Sequence, residues 1–156
     1  EKVLVGNGIM NKKELHARYE IMLESYVKKV QIESRIIADL AINHVIPTAI
    51  SYQNKLIDNL RGLKDIGMAD KANKTLKDNI ILISKYIDSI NADSEAMVEE
   101  RKLANNMEDA KDKAIAYCDK VKPYFDKIRY CVDKLEIMVD DEEWPLPKYR
   151  EMLFVK

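Results

Sequence analysis

The sequence predicts an all-α fold: an elongated antiparallel three-helix bundle with one very long, proline-kinked helix and an extended C-terminal tail. Two observations carry that reading. Glycine and proline occur only four times each in 156 residues, as Gly6, Gly8, Gly62, Gly67, Pro47, Pro123, Pro145 and Pro147, so long stretches carry no breaker. Apolar residues also recur at alternating spacings of three and four through the middle and the last third of the chain, the mark of helices packed along a seam.

Residues 1–11 read as an extended lead-in, with Gly6-Asn7-Gly8 as a turn before the first helix. Asn11 followed three residues later by Glu14 has the form of a capping box, so the first helix should start near Lys12. It runs to about residue 66, where Gly67 followed by Met68-Ala69-Asp70 suits a C-cap and turn. Pro47 lacks the amide that would bond the carbonyl of Asn43, and its ring crowds that carbonyl. No turn-forming cluster flanks it, which predicts a kink and not a break.

The second helix is expected over about 70–105. Leu76, Ile80, Ile83, Ile87, Ile90 and Met97 form its heptad seam, with Ser94 filling the remaining place. At Asn105-Asn106-Met107-Glu108-Asp109 the apolar pattern lapses and cap-forming side chains gather, which places a turn there. The third helix, about 108–140, carries Ala114, Tyr117, Val121, Tyr124, Ile128, Cys131, Leu135 and Met138 in an unbroken seam. Pro123 should bend it and free the carbonyl of Asp119. It gives out at Asp140-Asp141-Glu142-Glu143, where four acids meet the negative end of the helix dipole. Trp144-Pro145-Leu146-Pro147 must then be extended, opening a tail over 144–156.

Lengths set the architecture. At 1.5 Å per residue the first helix spans about 80 Å and the other two about 50 Å each. The second helix can therefore return along the first only to about Val30, leaving residues 12–29 protruding. That segment still carries Leu15, Tyr19, Met22, Leu23, Tyr26 and Val27, an apolar stripe that should not stand in water. Leu15, Tyr19, Met22 and Tyr26 are thus candidate interface residues. The tail, with Trp144, Leu146, Tyr149 and Phe154 among rigid prolines, suits docking better than disorder. Docking onto this bundle or onto a neighbour are both open to it, and docking in trans or onto a separate body predicts that Trp144→Ala weakens assembly more than it unfolds this chain.

Composition excludes several classes. An apolar content of 47% with 34% charged residues describes one globular domain, which at this length buries roughly 68–70% of its unfolded surface and needs no cofactor for stability. With 26 basic and 27 acidic residues, no long-range field attracts nucleic acid. Ile36 to Ile50 is interrupted by Asp39, Asn43 and His44, so no membrane span is expected. Glu1 to Asn11 has neither the basic nor the apolar region of a leader, and the chain does not begin with Met, so it reads as a piece of a longer protein. Cys118 and Cys131 lie about 20 Å apart if both are on one helix. They cannot bridge, which suits free thiols in a reducing cytoplasm.

No catalytic, cofactor-binding or metal site can be nominated. A di-metal carboxylate bundle needs paired Glu-x-x-His motifs, but Lys13 precedes His16 and Ala41 precedes His44 at that spacing. His16 and Glu20 share a helix face as a surface pair, and two ligands make no zinc site. His44, near Asn43 and Asp39, reads as a satisfied polar core residue. No Ser-His-Asp or Cys-His set emerges, and Gly6-Asn7-Gly8 lacks the spacing and the Gly-Lys ending of a phosphate loop.

Two stretches resemble the C-terminal region of type III glutamine synthetases. One is Arg18-Tyr19-Glu20 through Tyr26, continuing as Ile32-Glu33-Ser34-Arg35, Leu40-Ala41, Pro47-Thr48-Ala49 and Tyr52-Gln53-Asn54. The other is Val132-Asp133-Lys134-Leu135-Glu136, leading into Trp144-Pro145-Leu146-Pro147-Lys148-Tyr149-Arg150 and Leu153-Phe154. Residues 68–115 match only in being long, charged and helical. The resemblance implies a cytoplasmic bacterial enzyme that joins ammonia to glutamate, using ATP and Mg or Mn bound upstream of Glu1, in a homo-oligomer of hexameric rings. This chain would then be a non-catalytic helical domain whose partners are the upstream catalytic body and neighbouring subunits. A free-standing helical interaction module unrelated to nitrogen metabolism is the alternative.

Overall fold

The computed structural model describes residues 3–68 and 73–153, with the backbone alone at 149 and 150. The described residues are helical, with no strand among them. The first long helix occupies 54 residues, as Lys12–Leu40, a π-helical turn Ala41–Val45, and Ile46–Asp65. The second is Lys74–Asn105. The third runs through Ala110–Ala116, a π-turn Tyr117–Val121, and Pro123–Met138. A single turn, Tyr149–Met152, follows.

Local chemistry explains each boundary. Glu14 accepts from the Asn11 amide at 2.9 Å, and Asn11 Oδ1 accepts from the Glu14 amide at 2.9 Å, a reciprocal capping box. At the other end Gly67 adopts φ +78°. Its amide donates to the Lys64 carbonyl at 2.9 Å, and the Met68 amide to that of Leu63 at 3.0 Å. These are the two bonds of a Schellman motif, which needs a left-handed residue and so favours glycine. Asp109 caps the third helix, its Oδ1 accepting from the amides of Lys111 and Asp112 at 2.9 Å each.

Both prolines are met in the same way. The residue before each donates one residue further back than usual, Ile46 to the carbonyl of Ala41 and Lys122 to that of Tyr117. A π-turn widens the helix by one residue on the proline's N-terminal side, where the ring would otherwise crowd a carbonyl.

The chain divides into two compact units, Glu1–Ile36 with Ala96–Phe125, and Ile37–Glu95 with Asp126–Lys156. In the first, Val27, Val30, Met97, Ala104, Tyr117 and Val121 are buried. Ser34 is buried among them, its hydroxyl donating to the Gln31 carbonyl at 2.8 Å and accepting from Arg101 at 3.3 Å. In the second, Val45, Ala49, Ile83, Ile90, Ile128 and Leu135 are buried. Each such aliphatic side chain contributes about 2 kcal/mol when fully removed from water.

Several expectations change. Residues 3–10 are not extended: Gly8 takes φ +67° in a turn whose amides Ile9 and Met10 both donate to the Leu4 carbonyl, at 2.9 and 3.2 Å. The first helix ends at Asp65, not 66, because Gly67 imposes its cap. The expected start at Asp70 lies outside the described residues. The third helix spans 110–138, not 108–140, because Asp109 takes the capping position and Asp140 folds its own turn, accepting from the Glu142 amide at 3.0 Å. The tail is not extended throughout, since Tyr149–Met152 closes a helical turn. His44 is exposed, not a core residue, because Ala41, Val45 and Ala49 hold the inward face.

Candidate interface surfaces

The apolar stripe of the first helix belongs to the first unit. Gln31 Nε2 meets Asn105 Oδ1 at 3.4 Å, and Tyr117 donates to the same oxygen at 2.7 Å. The end of the second helix and the start of the third are thereby pinned at the level of Gln31. N-terminal to that level, Tyr19 is 47% and Met22 71% exposed, while Leu15, Leu23 and Tyr26 are half-buried. Val27 is already buried, Tyr26 is met by Cys118 and Glu24 shares a groove with Ala110 and Lys113, so the uncovered segment is 12–22, shorter than the expected 12–29. The steps from Leu15 to Tyr19, Leu23, Val27, Val30 and Ser34 are three or four residues, which places all six on one helix face. The stripe is thus the core face continued beyond its partners.

An open groove of about 450 Å³ lies on the stripe, lined by Lys12, Leu15, His16 and Tyr19. A second of about 540 Å³ opens at the turn between the second and third helices, where Met107 and Ile115 lie among Glu108, Asp109, Asp112 and Asp119. Ile115 and Leu103 are exposed there. The sequence reading passed over both residues, since Ile115 and Leu103 fall between seam positions. His16 Nδ1 stands 3.4 Å from Glu20, an exposed pair as expected.

Tyr26 is the most perturbed group in this unit. Burial first, then the Cys118 thiol, then the charges of Asp119 and Glu33, push its phenol up to about 12. Cys118 is exposed and Cys131 buried, and both are free. Burial raises the Cys131 thiol above its ordinary value.

The tail belongs to the second unit, and its start is covered while its end is not. Trp144 is only 8% exposed, so its ring is covered by the chain itself, the docking onto this bundle that the sequence left open beside docking in trans, whereas Met152 and Leu153 are exposed. Lys148 crosses beneath the Trp144 ring, donating to the carbonyls of Glu136 at 2.9 Å and Val139 at 3.5 Å and pairing with Asp141. Its ammonium lies 6.0 Å from the Trp144 ring centre. Lys55 pairs with Glu143, which holds its amine above the ordinary value. Two cations therefore offset the acidic helix end. Leu146 is half-buried. Tyr149 opens the last turn, and Phe154 lies outside the described residues.

Among the described residues no group of three or more His, Cys, Asp or Glu side chains could hold a metal ion. No described helix is long and apolar enough to cross a membrane.

The chain is similar to known proteins along nearly its whole length. A glutamine synthetase of Bacteroides fragilis (strain YCH46) is 48% identical over 157 residues, covering 99% of this chain and 22% of that protein. A type-3 glutamine synthetase of Dictyostelium discoideum is 27% identical over 158 residues, again covering 99% of the chain and 22% of the relative. Similarity therefore runs through residues 68–115 as well as the two ends. The chain spans about a fifth of the length of these relatives. The family profile described as the glutamine synthetase C-terminal domain matches residues 1–64, the lead-in and nearly all of the first helix.

Proposed function

We propose that this chain is the non-catalytic helical domain of a type III glutamine synthetase, serving the structure, assembly or regulation of the intact enzyme. The observation that carries the reading is the 48% identity over 99% of the chain to a glutamine synthetase more than four times as long. In this reading the ligation of ammonia to glutamate, with its ATP and Mg or Mn, belongs to the part of the protein preceding residue 1. The whole protein is a cytoplasmic homo-oligomer, and this domain contacts the catalytic body and neighbouring subunits. Neither nucleic acid nor membrane is a partner.

The same reading gives the domain the form of an antiparallel three-helix bundle. Supporting it, Gln31 meets Asn105 and Ser34 meets Arg101 in one unit, while Gln53 donates to the Ile80 carbonyl and Ser84 in the other. In the first unit the later of the two first-helix residues, Ser34, pairs with the earlier of the two second-helix residues, Arg101, as antiparallel neighbours do.

The test compares the full-length enzyme with a version ending before residue 1. Loss of the oligomer on sedimentation, with nucleotide and metal binding retained, is the expected result. Unaltered assembly and turnover would sink the reading. Glutamine formation by residues 1–156 alone would overturn its non-catalytic part.

A further inference from the structure

We infer that the uncovered stripe at residues 12–22 is the seat of the preceding part of the same polypeptide, which completes the end of the first unit. This rests on the domain reading above and adds the face and its occupant. Three observations support that choice over a second copy of the chain.

First, the stripe continues a seam that is fully used further along. Val27, Val30 and Ser34 are buried on the face that Tyr19 and Met22 leave open. What is missing is a partner packed along the helix, not a small ligand. Second, the relatives have nearly four-fifths of their length outside the matched region. The family profile, meanwhile, takes in residues 1–64 and stops before the second and third helices. The matched stretch thus includes the whole uncovered segment but not the helices that cover its continuation. Third, chain geometry favours an intramolecular contact. The capping box fixes where the chain enters the helix at Asn11, and residues 4–10 close a turn on the Leu4 carbonyl before it. A preceding segment is tethered fewer than 15 residues from Leu15. Such tethering raises its effective concentration far above that of a free partner, to the millimolar range for short flexible links.

The occupant must be apolar opposite Leu15, Tyr19 and Met22.

The experiment uses the full-length enzyme with Tyr19 replaced by the photo-reactive residue benzoylphenylalanine. After irradiation, a crosslink that leaves the denatured chain at single-subunit mass and maps to a peptide preceding residue 1 is the expected product. It should be lost in a Met22→Glu background and unchanged in an Ile137→Glu background, since Ile137 is 79% exposed and lies in the other unit. A product of doubled mass would assign the face to a neighbouring subunit or a second copy, and no product at all would leave it solvated. Either result overturns the inference. Neither touches the domain reading, which falls only if removal of residues 1–156 leaves assembly and turnover intact.

Discussion

Trp144 shows how much one side chain can fix. Its ring is buried at the end of the third helix while Lys148 ties the following backbone to the Glu136 and Val139 carbonyls. Trp144→Ala should therefore lower the stability of this chain itself by about 3–5 kcal/mol, the usual cost of emptying a buried tryptophan site, as measured by denaturant unfolding. An unchanged midpoint would mean that the ring's cover contributes nothing. Tyr26 sets a pH dependence. Its folded value near 12 lies above the ordinary 10.0, so folding favours the neutral phenol. That stability is complete below pH 10 and is lost as pH rises towards 12. Tyr26→Phe should flatten the fall in unfolding free energy across that window. Some slope should remain, because burial also raises Tyr117. A slope identical to that of the parent would refute the assignment. His44 shows where residue-level reading went astray. A polar side chain at mid-helix was assigned to the core from its neighbours in sequence, whereas the helix phase at that point is set by the π-turn.

At the level of elements, caps and seams were legible because their causes are local. The Asn11–Glu14 box, the Gly67 cap and the turn at 105–109 all follow from side chains within a few residues of each other. Gly67→Ala should cost about 1–2 kcal/mol, because φ +78° is strained for any residue with a Cβ, and a thermal melt would show it. No loss would mean that the cap rearranges freely. Asn11→Ala should remove about 1 kcal/mol of cap and speed amide exchange in the first turn while leaving the core unaffected. The two π-turns were not legible. Proline announces that a carbonyl will lose its donor, but whether the helix bends, breaks or takes in an extra residue depends on packing along its whole length. The tail's cover was equally hidden: composition suggested that Trp144 would dock, while the choice between self and partner depends on contacts with Lys148 and on the Lys55–Glu143 pair, which joins residues 88 apart.

For the molecule as a whole, stability is expected to rest on the apolar cores of the two units. Among the described residues no metal-binding group is assembled, and a chelator should leave the thermal midpoint where it was. A fall would reveal a structural metal. The near balance of 26 basic and 27 acidic residues likewise predicts only weak dependence of folding on salt. The candidate site was visible in outline, since comparing helix lengths exposed the overhang. What the sequence withheld was its asymmetry: Tyr19 and Met22 on the helix-end stripe stay exposed while Trp144 at the start of the tail is buried.

The π-turn at Ala41–Val45 has a consequence for how this helix can vary. Val27, Ser34 and Ala41 are buried at intervals of seven residues, and Ala49 follows Ala41 after eight. The half-buried Leu56 and Leu63 then resume the interval of seven. One inserted residue thus separates two seams, and it is also what makes room for Pro47. Dropping it would restore a single uninterrupted repeat but drive the proline ring into the carbonyl four residues before it, at about 3 kcal/mol. Insertion and proline are therefore expected to be gained and lost together: a homologous helix one residue shorter between Ala41 and Ala49 should have something other than proline at the matching place.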